Sequence, residues 1–363
     1  MKAAVLHQPK TPLVIEDVAI GKPGPREVLL RTAAVGVCHS DLHFLDGAYP
    51  FPMPVVLGHE AAGVVEQVGA EVRTVKPGDH VITCLSAYCG HCEHCLTGHL
   101  SLCVEPDTKR REGEEPRLLA KGGSGTMNQF LNLSAFAEQM LVHEHALVAI
   151  RPEMPLDRAA LIGCAVTTGV GAVVHTARVS PGETVAVIGC GGIGLATING
   201  AAIAGAGRII AIDRVPGKLE LARKFGATDV INAADVDAVE AVRELTRGGV
   251  HHAFEAIGLK QTTEQAFAML RRGGTATVIG MIAPGVKIEI KGTDFLAEKR
   301  IQGSLMGSNR FPVDMPRLVD FYLSGKLRLD ELISRRMPLE NINEAFDELR
   351  RGELARSVIM FEH

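Results

Sequence analysis

Thr184-Val185-Ala186-Val187-Ile188 runs directly into Gly189-Cys190-Gly191-Gly192-Ile193-Gly194, and the chain then carries no charged residue until Arg208. Five apolar, mostly β-branched residues predict a buried strand, and the uncharged stretch beyond the glycines predicts a helix. Six residues of the form G-x-G-x-x-G are a weak signal alone. Placed between a strand and a helix they meet the requirement for binding a dinucleotide. Glycine permits the tight turn and lets a pyrophosphate approach the backbone, and the helix N-terminus supplies free N–H groups and a favourable dipole. Asp213 closes the next strand candidate, where a carboxylate would accept from both ribose hydroxyls and repel a 2′-phosphate. NAD is therefore expected over NADP, with the neighbouring Arg214 as the opposing influence.

Working outward, strand candidates Arg208 to Ile212, Asp229 to Ile231, Ala253 to Ala256 and Thr275 to Ile279 alternate with amphipathic stretches at Lys218 to Phe225 and Val236 to Leu245. That alternation predicts a doubly wound parallel sheet, an α/β fold. Before about residue 155 the pattern differs. Valine-rich runs such as Glu27 to Val37 and Ala62 to Val68, bounded by Gly24, Gly58 and Gly69, predict a mainly β body. The last fifty or so residues are mixed and end on a strand, Ser357 to Phe361. The polar stretch from Val104 to Gly125 reads as a solvated surface loop.

With 363 residues, two domains are expected. A hydrophobic content of 46% excludes disorder, and a formal charge of -4 with scattered basic residues gives no nucleic-acid footprint. Thr184 to Gly207 is long enough to suggest a membrane span, but its glycine turn, Asn199 and two threonines favour a buried strand, turn and helix. No membrane partner is expected. The start, Met1-Lys2-Ala3-Ala4-Val5, reads as a strand and lacks the apolar core of a signal peptide, so a cytoplasmic location is expected.

Eight cysteines without an export signal favour metal or redox use over disulfides. Cys89, Cys92, Cys95 and Cys103 form C-x2-C-x2-C-x7-C, a spacing that closes four thiolates around one zinc and leaves no open position. Such a site is structural. His91, His94 and His99 lie in the same loop and are expected to be exposed. Cys38, His59 and Cys164 are dispersed, and spacing alone does not join them. Each also reads as an ordinary packing residue.

Taken together, Gly36-Val37-Cys38-His39-Ser40-Asp41, Gly58-His59-Glu60, the four-cysteine loop, Gly163-Cys164, the glycine turn and Arg356-Ser357-Val358 occur in an order that resembles the zinc-containing medium-chain alcohol dehydrogenases over nearly the whole chain. The resemblance implies a GroES-like catalytic domain at 1–165 and 306–363, and a Rossmann NAD-binding domain at 166–305. It implies two zinc ions per chain, with Cys38, His59 and Cys164 as ligands of the catalytic one, Glu60 behind that metal and Asp41 orienting His59. Ser40 would hydrogen-bond the alcohol, and His43 would be the outer end of a proton relay. His39 and Arg356 match pyrophosphate contacts and Lys218 a ribose contact. Leu85, Phe130, Leu131, Met281 and Leu305 would line the substrate pocket. Cys84 is a rival third ligand by proximity, and Cys164 is preferred because its flanking residues match.

The activity implied is NAD-linked oxidation of primary or secondary apolar alcohols, aliphatic or aromatic, by a homodimer or homotetramer acting on a small-molecule alcohol or aldehyde. The segment between Cys103 and Phe130 resembles the branch holding the dimeric animal enzymes and the S-(hydroxymethyl)glutathione (formaldehyde) dehydrogenases, which is the alternative. Against it stand His43, where that subfamily usually has tyrosine, and the short apolar Asp46-Gly47-Ala48-Tyr49-Pro50-Phe51-Pro52. A zinc-free reductase or a non-catalytic scaffold would have no reason to keep Cys38, His59 and Cys164 together.

Overall fold

In a computed structural model, Thr184–Ile188 lies at the centre of a six-stranded sheet. Residues 105, 112, 121–124, 126, 353–354 and 363 apart, the structure describes the whole chain. Strand order is Asp229–Asn232, Arg208–Asp213, Thr184–Ile188, Val250–Glu255, Leu270–Val278 and Arg300–Gly303, every pair parallel. This is the doubly wound sheet that the alternating pattern predicts, with boundaries within a few residues of expectation except where Leu270–Val278 begins earlier.

The alternation of side chains along each strand divides the core in two. Val185, Val187, Ile209 and Ala211 face one way, onto Leu195 and Ile198 of the helix Gly192–Ile203. Ala186, Ile188, Ile210 and Ile212 face the other, onto Val242 of Ala238–Thr246 and Phe267 of Lys260–Ala268. Each fully buried Val or Ile contributes about 1.5–3 kcal/mol. Both faces of the sheet are covered, which is why its strands read as continuous apolar runs.

Helix Gly192–Ile203 is buried nearly all round, because its outer side packs on a helical run over 156–177. A Cβ on Gly169 would sit 2.6 Å from the Ile193 carbonyl oxygen, and one on Gly200 3.0 Å from the Val170 Cα. Small residues thus let the two backbones touch. The uncharged stretch 184–207 is a strand and a core helix, as expected. The run Leu156–Ala177 is itself long and apolar enough to cross a membrane, yet 83% of its most apolar window is buried inside the molecule.

The mainly β body is built on Glu27–Gly36, which pairs antiparallel with Glu60–Val68 on one edge. Its other edge is shared by Gln139–His143 over residues 27–31 and by Ser357–Met360 over residues 34–36. The last strand of the chain therefore closes a sheet begun by the first forty residues. A second sheet pairs Lys2–Leu6 with Val14–Ile20 and Val55–Val56.

In the polar stretch 104–125, Asp107, Lys109, Arg111, Glu114 and Glu115 are exposed as a surface loop requires, whereas two arginines depart from it; Glu105, Glu112 and residues 121–124 lie outside the described residues. Arg117 is buried and donates through Nε to Glu27 Oε1 at 2.7 Å, and Arg110 lies across the same carboxylate. Burial alone would raise the pKa of Glu27, but the two guanidiniums and the Gly24 N–H hold it at about 2. The sequence shows these arginines as surface charge because their partner is more than eighty residues away.

Candidate functional site

The glycine turn has the shape its residues predict. Gly189 sits at φ +94°, a conformation that favours glycine. A Cβ on Gly194 would lie 1.7 Å from the Gly189 carbonyl oxygen, whereas one on Gly191 would meet nothing within 4 Å. The turn is locked on one side and open on the other, a cradle that fits a pyrophosphate. Asp213 spans its base: Oδ2 accepts from the Cys190 N–H at 2.7 Å, and Oδ1 accepts from the N–H groups of Arg214 and Val215. Lys218 follows on the helix Pro216–Lys224. Arg356 reaches the turn from the other body, its guanidinium 2.9–3.0 Å from where a Gly192 Cβ would be.

Cys38, His59 and Cys164, some 126 residues apart at the extremes, converge so that their ligand atoms all lie within 4.8 Å of one another, each residue buried. Strand pairing explains the first two. Gly36 sits opposite Glu60, so the chain leaving one strand toward Cys38 runs beside the chain entering the other from His59. A Cβ on Gly58, at φ +95°, would lie 2.6 Å from the Phe136 nitrogen, so the turn presenting His59 needs glycine. Cys164 comes from the long helical run, in a widened π-turn over Ile162–Val166. Gly163 lets that turn press on the sheet, its missing Cβ 2.8 Å from the Thr83 carbonyl oxygen. Cys84 is not in the group; burial pushes its thiol up to about 12.

Asp41, wholly buried, holds the Nδ1 side of His59 at 3.0 Å and accepts the Gly58 N–H at 3.0 Å. The other ring nitrogen, Nε2, lies 3.3 Å from Cys164 Sγ. Ligand bonds of about 2.1 and 2.3 Å at a tetrahedral angle place N and S about 3.6 Å apart, so the set fits zinc. Cys38 is drawn well below an ordinary thiol by the hydrogen bond from Cys164, against its burial, with Arg356 and His59 assisting. A divalent cation replaces the protons these groups otherwise share.

Glu60 lies behind them, its Oε2 3.3 Å from Arg356 Nη2 and neither carboxylate oxygen hydrogen-bonded. Burial pushes it up to about 8. Ser40 Oγ is 3.7 Å from Cys38 Sγ, at the half-buried rim. His43, one helical turn on, is half-buried beside Tyr49, and His39 is exposed.

The four-cysteine loop is the second constellation. Sγ separations are 3.8 Å for Cys89–Cys95, 3.5 Å for Cys92–Cys95 and 3.9 Å for Cys92–Cys103. A regular tetrahedron with bonds of about 2.3 Å has corners about 3.8 Å apart, so this shell too fits zinc, with no open position. Backbone N–H groups of His91 and Cys92 point at Cys89 Sγ at 3.5 and 3.3 Å and, outweighing desolvation, bring that thiol down to about 6. His91, His94 and His99 are exposed, as expected.

Of the five expected pocket residues, Phe130 is buried 6.1 Å from the His59 ring. Leu131, Asn132 and Ser134 all have positive φ, a strained turn tied down by Ser134 Oγ accepting the Phe130 N–H and Asn132 Nδ2 donating to the Leu85 carbonyl. Leu85 and Leu131 are half-buried around it. Met281 is half-buried, while Leu305 is 55% exposed. Sequence reading missed Phe44 and Phe51, whose rings meet Phe130 edge-on at 4.8 and 5.4 Å, and Tyr49, which donates to the Ile282 carbonyl at 2.6 Å. The signal was the apolar, aromatic run 44–51.

Residues 24–153 match the alcohol dehydrogenase GroES-like domain, and residues 192–324 match the zinc-binding dehydrogenase domain. Alcohol dehydrogenase class-3 of Myxine glutinosa is 39% identical, aligned over 99% of this chain and 97% of its own length. S-(hydroxymethyl)glutathione dehydrogenase of Photobacterium damsela subsp. piscicida is 40% identical over 99% of each chain. The crystal structure of benzyl alcohol dehydrogenase from Acinetobacter calcoaceticus superposes with a TM-score of 0.92 at 33% identity, covering 99% of each chain. The open three-residue cluster, the closed four-cysteine shell and the glycine cradle thus occur in a chain aligned end to end with such enzymes, and the protein belongs to the zinc-dependent, NAD(H)-linked alcohol dehydrogenase family.

Proposed function

We propose that the chain oxidises the hydroxymethyl group of a formaldehyde–glutathione adduct, with simple apolar alcohols as the second reading. The observation that carries the first is the 39–40% identity, over almost the full chain, to enzymes named for that adduct. The order reverses the one drawn from sequence alone. Favouring the second are the aromatic wall of Phe44, Phe51 and Phe130 and the similarity to a benzyl alcohol dehydrogenase. Formaldehyde oxidation assayed with and without glutathione, beside benzyl alcohol, separates them. A kcat/KM for the adduct at least tenfold above that for benzyl alcohol upholds the first; a formaldehyde rate indifferent to glutathione refutes it.

Zinc supplies a Lewis acid that acidifies the bound hydroxyl, and NAD accepts the hydride. In this reading Cys38, His59 and Cys164 hold the catalytic metal, and Cys89, Cys92, Cys95 and Cys103 hold the structural one. Asp41 fixes the His59 ring so that Nε2 faces the metal. Ser40 takes the substrate proton and His43 hands it toward solvent. Arg356 and His39 bind the pyrophosphate against Gly189, Gly191, Gly192, Ile193 and Gly194. Asp213 binds the ribose and selects NAD over NADP, with Lys218 beside it and Arg214 tempering the choice. Phe130, Leu131, Leu85, Met281 and Leu305 exclude water from the substrate. The catalytic body would comprise 1–165 and 306–363 and the cofactor body 166–305. The chain would act as a cytoplasmic homodimer or homotetramer, the assembly supported by the exposed Leu296; light scattering tests it.

A further inference from the structure

Ligands of parallel α/β sheets sit at the carboxyl ends of the strands, where the glycine turn lies. At the opposite, amino ends is a cavity of about 380 Å³ that the dehydrogenase chemistry does not use. Its wall includes Arg271, Arg272, Arg300, His251, His252 and Glu183. They come from the starts of neighbouring strands: 251–252 open the fourth strand of the sheet, 271–272 the fifth and 300 the sixth.

Three arginines and one carboxylate line it, and that carboxylate is engaged. Glu183 Oε2 lies 3.0 Å from His252 Nε2 and accepts the Ser180 N–H at 2.7 Å. Arg271 Nη1 is held on His251 Nε2 at 2.6 Å. The side chains of Arg272 and Arg300 make no ion pair or hydrogen bond among the described residues. His252 is only 8% exposed, and its Nδ1 has no hydrogen-bond partner, a buried polar atom that ordinarily finds one. Gly273, at φ +74°, has open space where a Cβ would be, so a ligand can approach the backbone of the turn.

We propose that this pocket binds a small phosphate monoester. Arginine forks match phosphate oxygens in pairs, and two unpaired guanidiniums around one opening favour a dianion over a single carboxylate. The volume suits a phosphorylated molecule of metabolite size and is larger than inorganic phosphate needs. Arg272 and Arg300 bind the phosphoryl group, Arg271 sets its rear wall, and His252 Nδ1 meets the organic part or a bridging water.

The test uses the enzyme saturated with NAD, so that the glycine turn is already filled. Calorimetric titration with glycerol 3-phosphate, inorganic phosphate, sulfate and citrate is run on the parent chain, on Arg272→Ala and on Arg300→Glu. Saturable binding of glycerol 3-phosphate is expected, tighter than that of inorganic phosphate or sulfate. Arg272→Ala should weaken it about tenfold or more and Arg300→Glu should abolish it, with NAD affinity and alcohol turnover unchanged. Binding that never saturates, affinity unaltered by both substitutions, or citrate binding in place of the monoester would each overturn the assignment.

Discussion

The two cysteine clusters solve the same coordination problem with opposite means. The four-cysteine shell comes from fifteen consecutive residues near the surface, and backbone N–H groups prepare its sulfurs. The Cys38, His59 and Cys164 group is assembled across 126 residues, is wholly buried, and is surrounded by charged groups that satisfy one another only in part. One is a local staple. The other depends on two strands of one sheet and a helix being in place, and in the proposed reading its open position is where a substrate binds.

Cys164→Ala should lower zinc from two to one per chain and reduce turnover by about 10⁴-fold or more, with circular dichroism unchanged; elemental analysis showing two zincs would end the assignment. Ser40→Ala should cost roughly 10²- to 10³-fold in turnover while zinc content and NAD affinity stay near normal. Asp41→Asn keeps the ring in place but weakens its hold, so a loss of about 10- to 100-fold in metal affinity or rate is expected, read by chelator competition. In Cys95→Ser, kcat of the surviving fold should stay within about twofold while the melting temperature falls, because in the proposed reading that shell closes a lobe and touches no substrate.

The smallest expected effect is one of pH on stability. Glu27 has a folded pKa near 2, below its ordinary 4.5, so its stabilisation is fully present above about 4.5 and is lost as pH falls toward 2. Roughly 2 kcal/mol, allowing for screening of the partly exposed pair, should disappear across that window in the parent chain. It should be absent from an Arg110→Ala, Arg117→Ala chain. Denaturant titrations between pH 5 and 3 would show the difference.

What could be read from sequence follows the same division. The glycine turn, Asp213 and the four-cysteine loop were legible because each is a local device whose spacing is its geometry. The strands of the parallel sheet were legible because burial on both faces forces apolar runs. Cys38, His59 and Cys164 were joined only by family resemblance, since nothing in their spacing records the Gly36–Glu60 pairing that aligns them. Arg110 and Arg117 looked like surface charge because Glu27 is distant in sequence. Phe44 and Phe51 were passed over because aromatic residues on a short helix and loop read as core. The helical run 156–177, with the π-turn that delivers Cys164, left no periodic signature, for all its faces are apolar.

Ser357–Met360 completes a sheet edge at Ala34, Val35 and Gly36, and Arg356 beside it reaches both Glu60 and the glycine turn. More than three hundred residues separate the two paired strands, so at about 5–20 residues per second the nascent first body waits on the ribosome for tens of seconds with that edge bare. The parallel sheet, continuous in sequence from 184 to 303, can close meanwhile. Vectorial synthesis therefore makes the parallel-sheet body a scaffold on which the mainly β body is finished last. A chain stalled after residue 350 should display protease-resistant 184–303 and a mainly β body cut readily, an order that limited proteolysis can read.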